Sequence, residues 1–307
     1  MRDNISGKTR VCGLIGDPVE HTMSPAMHNA AFEKMGIDYL YLPFRVKSKD
    51  LSKAIEGMRA LNIKGLNVTI PHKVAVLQLL DKLDPLAKKI GAVNTIVNDD
   101  GVLIGYNTDA TGSLQALLER GTEPKGKNIV ILGAGGASRA ISFILADRGA
   151  NLVILNRLLE MNWAVELANR ISQTFSKNVE ALELNKDNLT NVLKKADILV
   201  NATSVGMNPN INETPVTADL LKPGLVVYDI VYNPAKTKLL REAETAGTET
   251  IGGIDMLVWQ GALAFEKWTG QKAPIKLMKE EATKLLEAHE PIIQRESPKG
   301  LMPLRKP

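Results

Sequence analysis

Lys73 and Asp109 are the residues whose chemistry is plainest. Lys73 closes the string NVTIPHK, residues 67 to 73, and Asp109 closes GYNTD, residues 105 to 109. Brought together by a fold, they make an acid/base pair. The ammonium can donate a proton to a carbonyl oxygen as hydride arrives at the carbon, while the carboxylate orients the lysine and favours its charged form. That chemistry needs no metal, and His21, His28 and His72 show no metal-ligand spacing. Each residue also has a plainer reading. Lys73 can be a solvated lysine at a helix start, and Asp109 can cap a helix over 110 to 120, accepting hydrogen bonds from its exposed backbone N–H groups.

Hydride transfer needs a carrier. GAGGAS, residues 133 to 138, directly follows the β-rich run NIVIL and opens a helix predicted over 136 to 148, which stops at Gly149. This is the context of a dinucleotide fingerprint. Gly133 permits the tight turn, and Gly135 lets the backbone approach a pyrophosphate held at the helix N-terminus. Ala134, Gly136, Ala137 and Ser138 complete the expected cradle, with Ser138 small enough for close helix packing. The following strand ends in Asn156-Arg157, where an NAD site carries an acidic residue for the ribose 2′-hydroxyl. A guanidinium fork suits a 2′-phosphate, so NADP is expected ahead of NAD, which stays possible. As an isolated residue Arg157 can also be a solvated surface charge. NATSVGM, residues 201 to 207, ends a further strand, where backbone and small polar groups such as Thr203 would line the ribose and nicotinamide.

Four polar clusters complete the inventory: HTMSPAMHN at 21 to 29, NVTIPHK, GAVNT at 91 to 95, and GYNTD. Together they offer hydroxyls, amides, one lysine and one carboxylate, which match a small polyhydroxy acid. Ser24-Pro25 reads equally well as a helix cap followed by proline at the first helical position.

The elements that must position these groups alternate. Short β-rich runs (VCGLIG, DYLYLPFRV, GLNVTIP) are separated by helical stretches, which is α/β patterning. Asp100-Gly101 lies between two alternating apolar runs and reads as a hairpin turn. After the turn-rich connection 121 to 127, strands alternate with helices at a spacing that predicts a parallel, doubly wound sheet. The division expected is a three-layer α/β substrate domain over 1–109 and a Rossmann dinucleotide domain over 110–252. C-terminal helices over 253–290 and a disordered tail over 291–307 complete it.

Composition bounds the rest. A chain of 307 residues with 44% hydrophobic and 23% charged content is an ordinary globular protein, long enough for two domains. Its net charge of +4, from 38 basic and 34 acidic residues, is far from the clustered basic stripe of a nucleic-acid binder. VCGLIG is too short for a membrane span or a signal-peptide core, and Cys12, the only cysteine, excludes an internal disulfide. A cytoplasmic protein acting on a small molecule, without nucleic acid or membrane as partner, is the expectation.

The ordered strings HTMSPAMHN, NVTIPHK, GAVNT, GYNTD, GAGGAS, NATSVGM, VYNPAKTKLL and GGIDMLVWQGALAFEKWTG resemble the shikimate dehydrogenase family from Val11 to about Lys284. The resemblance implies reversible NADP-dependent reduction of 3-dehydroshikimate to shikimate, in aromatic amino-acid biosynthesis by way of chorismate. It implies Lys73 and Asp109 as the catalytic pair, with Thr22, Ser24, Thr69, Asn94, Tyr232 and Gln260 holding the substrate. Gln260 then requires its helix to return to the first domain. Asn156 and Arg157 would sit beside the adenosine phosphate, and Met207, Gly253 and Met256 near the nicotinamide; family members are often homodimers. Two departures stand out: Thr22 replaces the usual serine, and LLEMNW after Arg157 lacks the usual threonine and second basic residue. Quinate/shikimate dehydrogenases, a sister group that accepts either cofactor, resemble the chain nearly as well. A non-catalytic NADP-sensing module is the distant alternative.

Overall fold

The computed structural model describes residues 5–289, so the tail expected over 291–307 lies outside the described residues. The chain forms β1 (Arg10–Gly16), α1 (Ser24–Lys34), β2 (Tyr39–Arg45), α2 (Leu51–Ala60), β3 (Gly65–Val68), β4 (Lys82–Leu83), α3 (Pro85–Ile90), β5 (Thr95–Asp99) and β6 (Val102–Tyr106). These strands build one six-stranded sheet in the order β2-β1-β3-β5-β6-β4. β1 runs parallel to β2 and β3, whereas β3, β5 and β6 are antiparallel in turn. The hairpin between β5 and β6 turns at Asp100 and Gly101, both with positive φ, as its alternating pattern predicts. β1 is buried from Cys12 to Gly16, so a continuous apolar run, rather than an alternating one, marks it as a central strand.

The second sheet follows α4 (Thr108–Glu119) and contains β7 (Asn128–Leu132), α5 (Gly136–Asp147), β8 (Asn151–Asn156), α6 (Met161–Phe175), β9 (Glu180–Glu183), α7 (Lys186–Leu193), β10 (Ile198–Asn201), β11 (Val226–Asp229), α8 (Lys238–Thr245) and β12 (Glu249–Ile251). All its strands are parallel, in the order β12-β11-β10-β7-β8-β9. The order reverses between β7 and β10, the switch point at which doubly wound sheets bind ligands. The two-domain α/β architecture with a Rossmann-like sheet is thus present.

Two last helices, α9 (Gly253–Thr269) and α10 (Ile275–His289), pack back across the first sheet. Trp268 donates its indole N–H to the Ile96 carbonyl at 3.0 Å, and Phe265 stacks on Phe32 with ring centroids 5.2 Å apart. One apolar cluster therefore joins α1, β1 and β2 to α9 and α10. Where α4 crosses α9, a Cβ on Gly112 would lie 2.8 Å from the Gln260 backbone nitrogen, so the two helices approach as closely as a glycine allows. No helix among the described residues is long and apolar enough to cross a membrane.

Candidate active site

Lys73 Nζ donates to Asp109 Oδ2 at 2.7 Å, with the two side chains only 15% and 7% exposed. The solvated reading of Lys73 therefore fails. Its peptide is pinned because the Val93 N–H donates to the Lys73 carbonyl at 2.8 Å, and the preceding His72 ring nitrogen lies 2.6 Å from the Val46 carbonyl. Asp109 is not a helix cap either. Asn107 takes that position, accepting from the Ala110 N–H at 3.1 Å, so α4 begins at Thr108 rather than at 110. Asp109 is left in the first helical turn with its carboxylate turned to the lysine.

A buried polar network supports this pair from behind. Asn94, 2% exposed, accepts from the Thr108 N–H at 2.7 Å and donates to Thr108 Oγ1 at 3.0 Å. Thr95 Oγ1 donates to Asn94 Oδ1 at 3.1 Å and accepts from Asn67 Nδ2 at the same distance. Asn67 Oδ1 accepts in turn from the Tyr41 phenol at 2.7 Å. Burial pushes that phenol well above its ordinary pKa, and the Ser24 hydroxyl, hydrogen-bonding to it, acts in the opposite direction. Sequence reasoning missed Asn67 and Tyr41. Asn67 opens the same string that Lys73 closes and was within reach, but nothing in a single strand shows that Tyr41 reaches it across β1.

Ser24 is buried and is not a cap: Met23 occupies that position without a side-chain bond, and Thr22 Oγ1 accepts from the Ser24 N–H at 3.3 Å. Thr69 follows β3, its N–H donating to the Ile15 carbonyl at 3.0 Å. Thr22, Ser24, Thr69, Asn94, Lys73 and Asp109 thus come from strand ends and helix starts of the first sheet. Tyr232 follows β11 of the second sheet, and burial raises the pKa of its phenol. Gln260 donates to the Leu257 carbonyl of its own helix at 2.8 Å. Among the described residues, neither Tyr232 nor Gln260 hydrogen-bonds to Lys73, Asp109 or Asn94. Beneath the cluster, His28 is fully buried and stacked on Tyr41 with centroids 4.4 Å apart; burial pushes its imidazole down to about 3.

The glycine-rich turn has the form a dinucleotide needs. Gly133 has φ of +95°, and a Cβ there would lie 3.0 Å from the Ala202 carbonyl of the neighbouring strand end. A Cβ on Gly135 would meet nothing within 4 Å, leaving the approach to the backbone open. Ser138, buried, donates to the Gly133 carbonyl at 2.6 Å, so it closes the turn as well as filling the helix contact. Ala134 is buried and Ala137 half-buried in the same turn and first helical residues. Gly136 faces the other sheet: a Cβ there would lie 3.4 Å from Lys73 Cδ. The turn and the proton donor therefore stand side by side.

Asn156 ends β8 and donates to the Glu160 carbonyl at 2.8 Å. Arg157, 70% exposed, is paired with the Glu160 carboxylate through Nε at 2.7 Å and a terminal nitrogen at 2.5 Å, a partner that sequence reasoning missed. Thr203 Oγ1 donates to Asn201 Oδ1 at 2.7 Å, and Met207 is exposed. Gly253 and Met256 lie buried in the first turn of α9, beside the β11 end. Among the described residues no cluster of His, Cys, Asp or Glu has the form of a metal site. What the arrangement offers is a held proton donor, a lining of amides and hydroxyls, and an open phosphate turn next to both.

Comparison with known proteins covers most of the chain. Residues 14–96 match the shikimate dehydrogenase substrate binding domain, residues 116–232 match shikimate / quinate 5-dehydrogenase, and residues 253–283 match the shikimate 5′-dehydrogenase C-terminal domain. A shikimate dehydrogenase (NADP(+)) of Methanopyrus kandleri is 50% identical over 280 residues, covering 90% of this chain and 96% of the relative. A shikimate dehydrogenase solved in complex with NADP+ superposes with a TM-score of 0.88 at 46% identity, covering 92% of this chain and 98% of that one. The shikimate 5-dehydrogenase of Listeria monocytogenes, solved with shikimate and NAD, gives 0.86 at 43% identity, with coverage of 91% and 98%.

Proposed function

Because this chain belongs to the shikimate dehydrogenase family, we propose that it catalyses the reversible reduction of 3-dehydroshikimate to shikimate with NADPH, in the biosynthesis of chorismate and the aromatic amino acids. It is an oxidoreductase, and its cofactor is NADP. The observation that carries the reading is the 2.7 Å contact between Lys73 and Asp109 beside Gly136 of the phosphate turn.

The residues of the turn fit the cofactor. Gly133 and Ser138 fix its shape, Gly135 leaves the backbone open, and Arg157 offers a cation for a 2′-phosphate. When bound, NADPH supplies the hydride. Lys73 in its ammonium form donates the proton to the ketone oxygen, and in the reverse direction its neutral amine receives the hydroxyl proton. Asp109 holds the lysine in line. Thr22, Ser24, Thr69 and Asn94 bind the carboxylate and hydroxyls, with Tyr232 and Gln260 reaching in from the second sheet and from α9. The cleft excludes water from the transfer. Residues 1–109 then serve as the substrate-binding and catalytic domain, 110–252 as the dinucleotide domain, and 253–290 as the helices returning to the first. We also propose a homodimer working in the cytoplasm, a reading supported by the family alone; sedimentation of the purified protein tests the dimer.

The deciding test is the initial rate with shikimate or quinate, each with NADP or NAD, at alkaline pH. Fast turnover with shikimate and NADP alone supports the biosynthetic reading. The sister activity on quinate, or with NAD, is favoured by one observation: Arg157 is the single cation of its loop, followed by the exposed apolar Leu158 and Leu159. Comparable rates there would place the chain in the quinate/shikimate group, and binding of NADPH without any turnover would leave a sensing module. Lys73→Ala is expected to lower kcat by about 10²- to 10⁴-fold, the range general acid catalysis supplies, with an unchanged circular dichroism spectrum. Retained turnover would remove Lys73 from its role.

A further inference from the structure

Asp229, at the end of β11, has no exposed surface, and its carboxylate accepts hydrogen bonds from three separate stretches of chain. Asn201 Nδ2 donates to Oδ1 at 2.9 Å, the Val231 N–H donates to the same oxygen at 3.1 Å, and Thr237 Oγ1 donates to Oδ2 at 2.6 Å. Each donor leads onward. Asn201, also fully buried, accepts on its own Oδ1 from the Thr203 N–H at 3.1 Å and from Thr203 Oγ1 at 2.7 Å. Thr203 Oγ1 then accepts from the Val205 N–H at 3.1 Å. The bend from 201 to 205 is thus shaped by an amide whose other end Asp229 holds. Val231 immediately precedes Tyr232, and Thr237 caps α8 by accepting from the Leu240 N–H at 3.3 Å.

We propose that Asp229 is a positioning residue that couples the two halves of the site, fixing Thr203 on the cofactor side and Tyr232 on the substrate side through one buried carboxylate. The inference rests on the proposed function, with Thr203 on the cofactor and Tyr232 on the substrate. Burial pushes the Asp229 carboxyl up to about 6, a rise that the three donors only partly oppose, so the ionised form is kept at an energetic cost. A purely structural tie does not require that cost. Asparagine at this position could still accept from Asn201 and Val231 through its oxygen and donate to Thr237 through its amide. What it could not do is hold three donors at once.

The test is Asp229→Asn in the full chain, read by calorimetric titration with NADP and with shikimate separately, beside kcat, KM and the thermal midpoint. The expected result is a midpoint equal to or above that of the wild type at pH 8, with both dissociation constants weakened about fivefold, within the range of networked residues. A shift in only one ligand, or in neither, overturns the coupling. If Asp229→Asn yields no folded protein, Thr237→Val keeps the charge and removes one donor; it is expected to weaken both ligands in the same sense, and unchanged binding overturns the proposal. Wild-type turnover of shikimate with NADP is measured first. Its absence would sink the proposed function, whereas turnover with an unaffected Asp229→Asn would sink the coupling alone.

Discussion

Arg157 is where single residues decide most about selectivity. Its guanidinium, expected to face a 2′-phosphate, is held by Glu160, and the segment LLEMNW that follows it lacks the threonine and second basic residue that the resemblance leads one to expect. The pair is solvent-exposed, so the attraction to be displaced is small. Glu160→Gln is therefore expected to lower the KM for NADP by no more than about fivefold while leaving that for NAD unchanged, measured by initial rates at fixed shikimate. Equal changes for both cofactors would show that Glu160 does not compete for the 2′-phosphate partner. His28 makes a separate prediction. Neither of its ring nitrogens has a hydrogen-bond partner among the described residues, and burial lowers its pKa from 6.5 to about 3. The unfolded chain takes up a proton below pH 6.5 that the folded protein refuses, so stability is fully present above that pH and is lost as pH falls toward 3. The whole interval corresponds to a few kcal/mol, on the order of 5 at most. The thermal midpoint is expected to fall more steeply between pH 7.5 and 4.5 in the wild type than in His28→Leu; parallel curves would remove His28 as the cause.

At the scale of elements, Gly112 does the work of placing Gln260. Gly112→Ala would put a Cβ 2.8 Å from the Gln260 backbone nitrogen, so α4 and α9 must separate. The expected outcome is a loss of about 1 to 3 kcal/mol in stability, seen by denaturant unfolding, together with a raised KM for shikimate. An unchanged KM would separate Gln260 from the substrate. The sequence alone showed where strands and helices alternate, because buried parallel strands read as apolar runs and long helices keep their period. It did not reveal α3, the edge strand β4 or the short 3-10 helix over Ala75–Leu79, each too brief to carry a period. Lys73 and Asp109 were legible as chemistry because few groups serve as proton donors. Their supports were not: Asn107 takes the cap for which Asp109 was the candidate, Tyr41 reaches Asn67 across a neighbouring strand, and Glu160 pairs with Arg157 through a loop conformation no spacing encodes.

The whole molecule sets the phosphate turn of one sheet against the proton donor of the other. Closing the circuit are α9 and α10, which belong in sequence to the far end and in space to the first sheet. Trp268 on Ile96, Phe265 on Phe32 and the cluster around Met27, Ala262 and Met278 mean that the first sheet lacks much of its cover until these helices arrive. On the ribosome the half of the protein made first is therefore finished last. Its aromatic face must wait, exposed, through synthesis of the entire second sheet, one of whose core clusters takes no residue from α9 or α10 while the other takes only Met256. A nascent chain halted at residue 252 is expected to yield a protease-resistant second sheet and a first sheet that is cut and binds hydrophobic dyes, resistance appearing once residue 289 has emerged. Equal protection of both sheets in the shorter chain would show that the first one completes its folding alone.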